Sequence, residues 1–379
     1  MRFAIIFFAA LVLAACSSTP KELKPSPLVK HESAVSFKKL WSRDGGAGQK
    51  KLYTLLTPAL ANGRAYTAGT KGRVSAYDAL KGTKLWQTKV AKSISGGVGA
   101  NASTVVVGTY DGEVIALNAD TGEEKWRHMV STEVLSAPQL NSKIAVVHTI
   151  DGRLHALDIE TGERLWLYDN TAPLLTFRGQ AAPLVTETLV IAGFDSGKVV
   201  GINPRNGIAQ WDVRVAIPSG RSDLERVVDI DGTPLMLGDL LFTASYQGRI
   251  VAISRSTGRG LWAKDASTYY GLATNGFSVF MTADNDEVKA YNVANGEDVW
   301  TNDQMLRRKL TGPVTLNGFV LIGDDAGYVH ALDAESGEYR GRTHVSGAGI
   351  RSPLVVFGGT LYVLDNGGSL HAVEVEAKS

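Results

Sequence analysis

Two kinds of residue in this chain could do chemistry by type and spacing: a lone thiol and a recurrent imidazole. Cys16 is the single cysteine among 379 residues, which excludes an intramolecular disulfide, a vicinal pair and a thiolate metal cluster. His155, His330 and His371 each fall three residues after a glycine in a repeated motif. Three imidazoles at one repeat position could ring a metal, but the units that carry them do not form a consecutive run. The equivalent positions elsewhere hold Ser75, Ile115, Val200, Val251 and Lys289, so the histidines read as partly exposed strand residues. Asp229-Ile230-Asp231-Gly232 and Asp284-Asn285-Asp286-Glu287 bring carboxylates close together, yet neither has the spacing and bidentate glutamate of a twelve-residue calcium loop. The chain contains no nucleophile elbow, phosphate-binding glycine loop or HExxH motif. The expectation is a protein with no catalytic centre, no metal and no cofactor.

The elements around these residues must then explain them. Cys16 ends the run MRFAIIFFAALVLAAC, in which Arg2 precedes an unbroken apolar stretch from Phe3 to Ala15. Thirteen apolar residues fall short of the roughly 20 needed to span a bilayer, and the layout is that of an export signal over residues 1–15. The ending Leu13-Ala14-Ala15-Cys16 resembles a bacterial lipobox, which implies cleavage before Cys16 and a covalent lipid on its sulfur. Ser17 follows, where an aspartate would resemble an inner-membrane retention signal, so the resemblance favours the outer membrane. Residues 16–34 are expected to form the lipidated cysteine and a flexible tether, since they carry three prolines and no hydrophobic period. Basic residues total 39 against 38 acidic ones, a balance that leaves no surface for phosphate neutralisation and argues against nucleic acid.

From residue 35 onward the chain repeats itself. GRVSAYDALKGTKLW (72–86), GEVIALNADTGEEKW (112–126) and GRLHALDIETGERLW (152–166) are the clearest copies, with others at 197–211, 248–262 and 286–300. A seventh, GYVHALDAESGEYRG, carries Gly341 where tryptophan is expected. The eighth is split between GSLHAVEVEAKS at the C-terminus and FKKLW at Phe37–Trp41. Units of about 40 residues, each reading as four short strands with glycine turns, indicate a β-propeller. Division of one unit between the chain ends is what closing a ring requires. The predicted fold is therefore all-β: an eight-bladed propeller over residues 35–379, with four-stranded antiparallel blades and N- and C-terminal strands paired in one blade. All seven tryptophans (Trp41, Trp86, Trp126, Trp166, Trp211, Trp262 and Trp300) occupy the same repeat position, as blade-to-blade wedges would. Small residues four after each motif glycine, such as Ala76 and Gly201, would leave them room.

The repeat resembles that of pyrroloquinoline-quinone dehydrogenases, which are also eight-bladed propellers. That likeness implies the alternative reading, a quinone-dependent periplasmic enzyme using the central funnel. Against it, the vicinal disulfide that many of those enzymes stack on the quinone cannot form here, and the chain is too short for their insertions.

Two connectors from neighbouring blades notably exceed the usual 12 residues between a tryptophan and the next blade: Trp166 to Pro183 spans 17 and Trp211 to Pro234 spans 23, while Trp41 to Pro58, also 17, lies three blades away around the ring. Both leave the same propeller face from neighbouring blades. The first contains Leu175, Phe177 and Arg178, apolar and basic side chains suited to a protein contact. The second ends in Asp229 and Asp231, candidates for a basic partner. Lipobox, split ring, Leu175-Thr176-Phe177-Arg178-Gly179 and Asp229-Ile230-Asp231-Gly232-Thr233-Pro234 together resemble the BamB family of outer-membrane assembly lipoproteins. The resemblance implies a non-catalytic scaffold, lipid-anchored to the outer membrane and facing the periplasm. It also implies that Leu175, Phe177, Arg178, Asp229 and Asp231 dock on the POTRA domains of BamA. Phe177 stands where leucine is common. Nascent β-barrel proteins are a further expected partner, held along exposed strand edges by β-augmentation.

Overall fold

A computed structural model describes residues 23–49, 52, 54–170, 181–216 and 228–378. Cys16, Leu175, Phe177 and Arg178 lie outside them.

Glycine turns and alternating apolar residues give eight four-stranded antiparallel sheets, each with its strands in sequence order except the last. Blade 1 consists of Ala59–Ala61, Arg64–Gly69, Arg73–Asp78 and Lys84–Lys89. Blades 2 to 7 span residues 96–129, 139–169, 184–214, 235–266, 273–302 and 314–344. Blade 8 takes three strands from residues 355–377 and its outermost strand from Val35–Asp44. Val35 pairs with Ala377 and Asp44 with Ser369, with a bulge between Lys39 and Trp41. The ring is closed as the split repeat implied.

The core lies within and between blades. Third strands such as Glu113–Asn118 are buried along their length, because both sheet faces meet neighbours. Each tryptophan sits directly opposite the small repeat residue of its own blade, as Trp86 does Ala76 and Trp211 does Gly201. Its indole nitrogen donates to a backbone carbonyl of the next blade. The acceptors are Ala79, Ala119, Ile159, Pro204, Arg255, Val293 and Ala334, at 2.8–3.1 Å. Beneath the ring lies the next blade's turn glycine. At Gly122 (φ +74°) a Cβ would come within 2.5 Å of Trp86, so only glycine fits both the backbone and the space.

Blade 7 departs from this pattern for a steric reason. Gly341 occupies the wedge position, and the chain entering blade 8 crosses it: a Cβ there would meet Ser33 Oγ at 2.9 Å and Val35 Cβ at 3.6 Å. Ala34 N donates to Arg340 O beside it. Residues 23–34 contain no strand or helix, yet they are hydrogen-bonded to blade 7 rather than detached from it.

Strand order also fixes the two faces. The connectors from each outermost strand to the next innermost strand share one face with the turns between second and third strands. The other two hairpin turns of each blade lie on the opposite face.

Candidate functional site

The connector face gathers the chemistry. Asp229 and Asp231 end the longer connector and flank Ile230, which is fully buried against blade 4, where a Cβ on Gly193 would lie 2.4 Å from its Cγ2. This anchoring turns Asp229 inward: it is 0% exposed in the isolated ring, whereas the sequence suggested a carboxylate open to a basic partner. Asp231 is half-buried and lines the mouth of the central funnel. Asp195, from a turn of blade 4, joins them, and one carboxylate oxygen from each of the three lies within 4.8 Å of the others. Asp195 and Asp229 each have polar or electrostatic partners. Asp231 Oδ1 is buried without a hydrogen-bond partner among the described residues. Burial, then the charges of Asp229 and Asp195, push its carboxyl well above the usual range.

Beside the acids stands an aromatic group. Tyr246 and Tyr269 stack with centroids 4.6 Å apart, and Tyr270 meets Tyr269 edge-on at 6.3 Å. Burial pushes the Tyr270 hydroxyl up to about 12 and Tyr269 up as well, so both remain protonated and able to donate. The funnel mouth is a cavity of about 370 Å³ lined by Asp231, Leu235, Tyr269, Tyr270, Arg351 and Leu354, among others. Arg351 Nη2 donates to Leu52 O at 3.1 Å. The arrangement offers apolar area, aromatic faces, protonated hydroxyls, one arginine and one strained acid. That set suits binding, since apolar and aromatic area with a few polar groups is what a ligand or partner surface offers.

The repeat-position histidines turn out to be buried rather than partly exposed. His330 Nε2 donates to Asp324 Oδ2 at 3.0 Å, and His371 Nε2 to Asp365 Oδ2 at 2.9 Å. An acid six residues earlier in the same two units holds one nitrogen of each ring, a spacing visible in the sequence. His155 Nε2 contacts Ser131 Oγ at 3.1 Å. The three imidazoles belong to three separate blade interiors and ring no common point. Asp195, the tyrosine group and the buried Arg308–Asp324–His330 set were missed by sequence reasoning. Their juxtaposition spans blades, and no local motif signals it.

The family described as "Outer membrane protein assembly factor BamB" matches residues 70–302 and 284–378. The outer membrane protein assembly factor BamB of Pseudomonas aeruginosa is 48% identical over 375 residues, covering 99% of both chains. That of Kangiella koreensis is 41% identical over 98% of this chain and 96% of its own length. Among solved structures, BamB from Moraxella catarrhalis superposes with a TM-score of 0.82 at 27% identity, covering 89% of this chain and all of that one. A europium-containing methanol dehydrogenase superposes at 0.70 with 14% identity, covering 89% of this chain and 93% of its own; this likeness concerns the fold alone. The chain belongs to the BamB family of outer-membrane protein assembly factors.

Proposed function

We propose that this protein is a non-catalytic subunit of the machinery that assembles β-barrel proteins in the outer membrane. It would be lipid-anchored through Cys16 and face the periplasm. The observation that carries the reading is full-length similarity to relatives named as assembly factors, at up to 48% identity. Its mechanism is binding. The connectors around blade 4 would dock on the POTRA domains of BamA, with Leu175 and Phe177 supplying apolar area, Arg178 a fixed cation and Asp231 a polar contact. Asp229, being buried, would act by holding Ile230 and Asp231 in place. Exposed outer strand edges of the blades would serve nascent barrel strands.

The test is co-purification from detergent-solubilised outer membranes, comparing the wild type with a Phe177→Glu, Arg178→Glu variant whose near-ultraviolet circular dichroism is native. A large β-barrel protein with periplasmic domains should accompany the wild type and be at least tenfold depleted with the variant. Absence of such a partner from the wild-type sample would overturn the reading. Undiminished recovery with the variant would relocate the docking surface.

A further inference from the structure

Residues 23–34 are held on the ring by an unusual density of arginine contacts. Arg307 Nε donates to Lys24 O at 2.9 Å, and Arg308 Nη1 to Ser26 O at 3.0 Å. Ser26 N donates to Leu306 O at 2.9 Å. Farther along, Arg342 Nη1 donates to Val29 O at 2.5 Å and lies 3.1 Å from His31 Nδ1. The His31 ring meets Tyr339 edge-on at 5.1 Å. Arg308 is itself immobilised, because its Nε and Nη2 both reach Asp324 Oδ2, at 2.8 and 2.5 Å. Asp324 is fully buried and also accepts from His330. A fixed guanidinium aimed at a backbone carbonyl loses little freedom when it binds, so the contact is pre-organised.

The path of this strap has a direction. Lys24 and Ser26 lie at residues 306–308, in the connector between blades 6 and 7, on the connector face. From there the chain passes the outermost strand of blade 7, Tyr339–His344, and enters blade 8 at Val35. The end leading toward Cys16 therefore leaves the ring on the connector face. Leu23 is seven residue steps from Cys16, and a fully extended chain of that length spans at most about 25 Å. Exposed apolar and basic groups lie along this rim: Leu23 is 73% exposed beside the exposed cations Arg307 and Lys309, and in the connector from blade 8 to blade 1 Leu52 and Leu55 are 45% exposed. Asp325, 3.9 Å from Lys309, and exposed Asp303 offset part of that charge, so the strap rather than electrostatic attraction must hold the geometry.

We infer that residues 23–34 are an orienting strap that turns the connector-face rim of blades 6 to 8 toward the phospholipid bilayer and keeps it within about 25 Å of the surface. The partner-binding connectors around blade 4 then stand across the ring from the anchored corner. The inference rests on the reading of Cys16 as the lipid anchor. Because Cys16 is the only native thiol and would be lipidated, an added cysteine gives a single labelling site.

The test uses the full-length lipidated protein in phosphatidylethanolamine–phosphatidylglycerol vesicles with acceptor dye on the headgroups. Donor dye is placed at Ala326→Cys, on the connector face of blade 7, or at Glu335→Cys, on its opposite face. Both positions are exposed. Energy transfer should be at least twofold stronger from position 326 than from 335. That ratio should fall toward one in an Arg307→Ala, Arg342→Ala background, which loosens the strap on either side of Ser26 while leaving Asp324 paired with Arg308. Equal transfer from both sites in the otherwise native strap, or an unchanged ratio after this loosening, would overturn the strap. Failure of the protein to float with vesicles would instead overturn the anchor reading, and the inference with it.

Discussion

At the scale of single residues, burial decides most of what the polar groups do. His148 and His155 show this plainly. Burial is the main cause that depresses each to about 4, against an ordinary 6.5, and each sits in a blade interior as a neutral ring. The unfolded chain takes up a proton near pH 6.5 while the folded one refuses it until about pH 4, so folding becomes less favourable as pH falls through that window. Above pH 6.5 the contribution is fully present. Between pH 6.5 and 5 each histidine should remove on the order of 1.5 kcal/mol of stability. Urea unfolding at pH 7.5, 6 and 5 should show a falling midpoint, and a His155→Asn variant should show a shallower fall. A midpoint that is flat or rises on acidification would mean that these rings are protonated in the fold. Asp231 has the opposite sign: its carboxyl is pushed up, so ionisation near neutral pH works against the fold. An acid kept under that strain at a funnel mouth is what a binding role would explain.

At the scale of the element, the repeat made the strands legible and the connectors opaque. Glycine turns and alternating residues indicated four short strands in each unit, and blade 1 has them as Ala59–Ala61, Arg64–Gly69, Arg73–Asp78 and Lys84–Lys89. The tryptophan register pointed to a wedge, whose actual partners are a carbonyl and a turn glycine in the following blade. What could not be read was the direction of a side chain after a long connector. Asp229 and Asp231 look equivalent in sequence, but Ile230 between them packs inward and buries one acid more than the other. Gly341 is the sharper lesson, since the repeat alone makes it look like a decayed tryptophan. In the fold it is a required gap, filled from outside by Ser33, Val35 and Phe37. Restoring the consensus with Gly341→Trp should therefore destabilise the protein, by about 1–3 kcal/mol as overpacking usually does, and increase proteolytic cleavage within residues 23–34. A rise in melting temperature would show that the entering chain can yield to an eighth wedge.

At the scale of the whole molecule, closure determines how the ring comes apart. Seven interblade seams are crossed by an indole hydrogen bond, and the eighth, between blades 7 and 8, by the chain entering blade 8. No seam coincides with a chain end, because both ends meet inside blade 8, where Val35–Asp44 pairs with Ser369–Ala377 along its length. Opening the ring therefore requires breaking strand pairing within one sheet, whereas separating two blades elsewhere requires cutting the backbone. A circular permutant isolates this term. Lys378 N donates to Ala34 O at 2.9 Å, so a short glycine linker can join residue 378 to residue 34. New ends placed in the connector between Met129 and Pro138 leave every blade intact. The permutant, which also lacks the strap, should fold with a native circular dichroism spectrum, since each sheet and indole contact is retained. Its blade 2–blade 3 seam, however, is now held only by non-covalent contacts, among them side-chain packing and the bonds of Trp126 to Ile159 O, Asn101 to Asn141 O and Lys125 to Glu160, so blades can peel from the new ends. Unfolding should occur at lower denaturant and with a smaller m value than in a control lacking only residues 1–33, because less surface is exposed in one step. An equal midpoint and m value would mean that packing between blades, rather than the shared sheet, holds the ring shut.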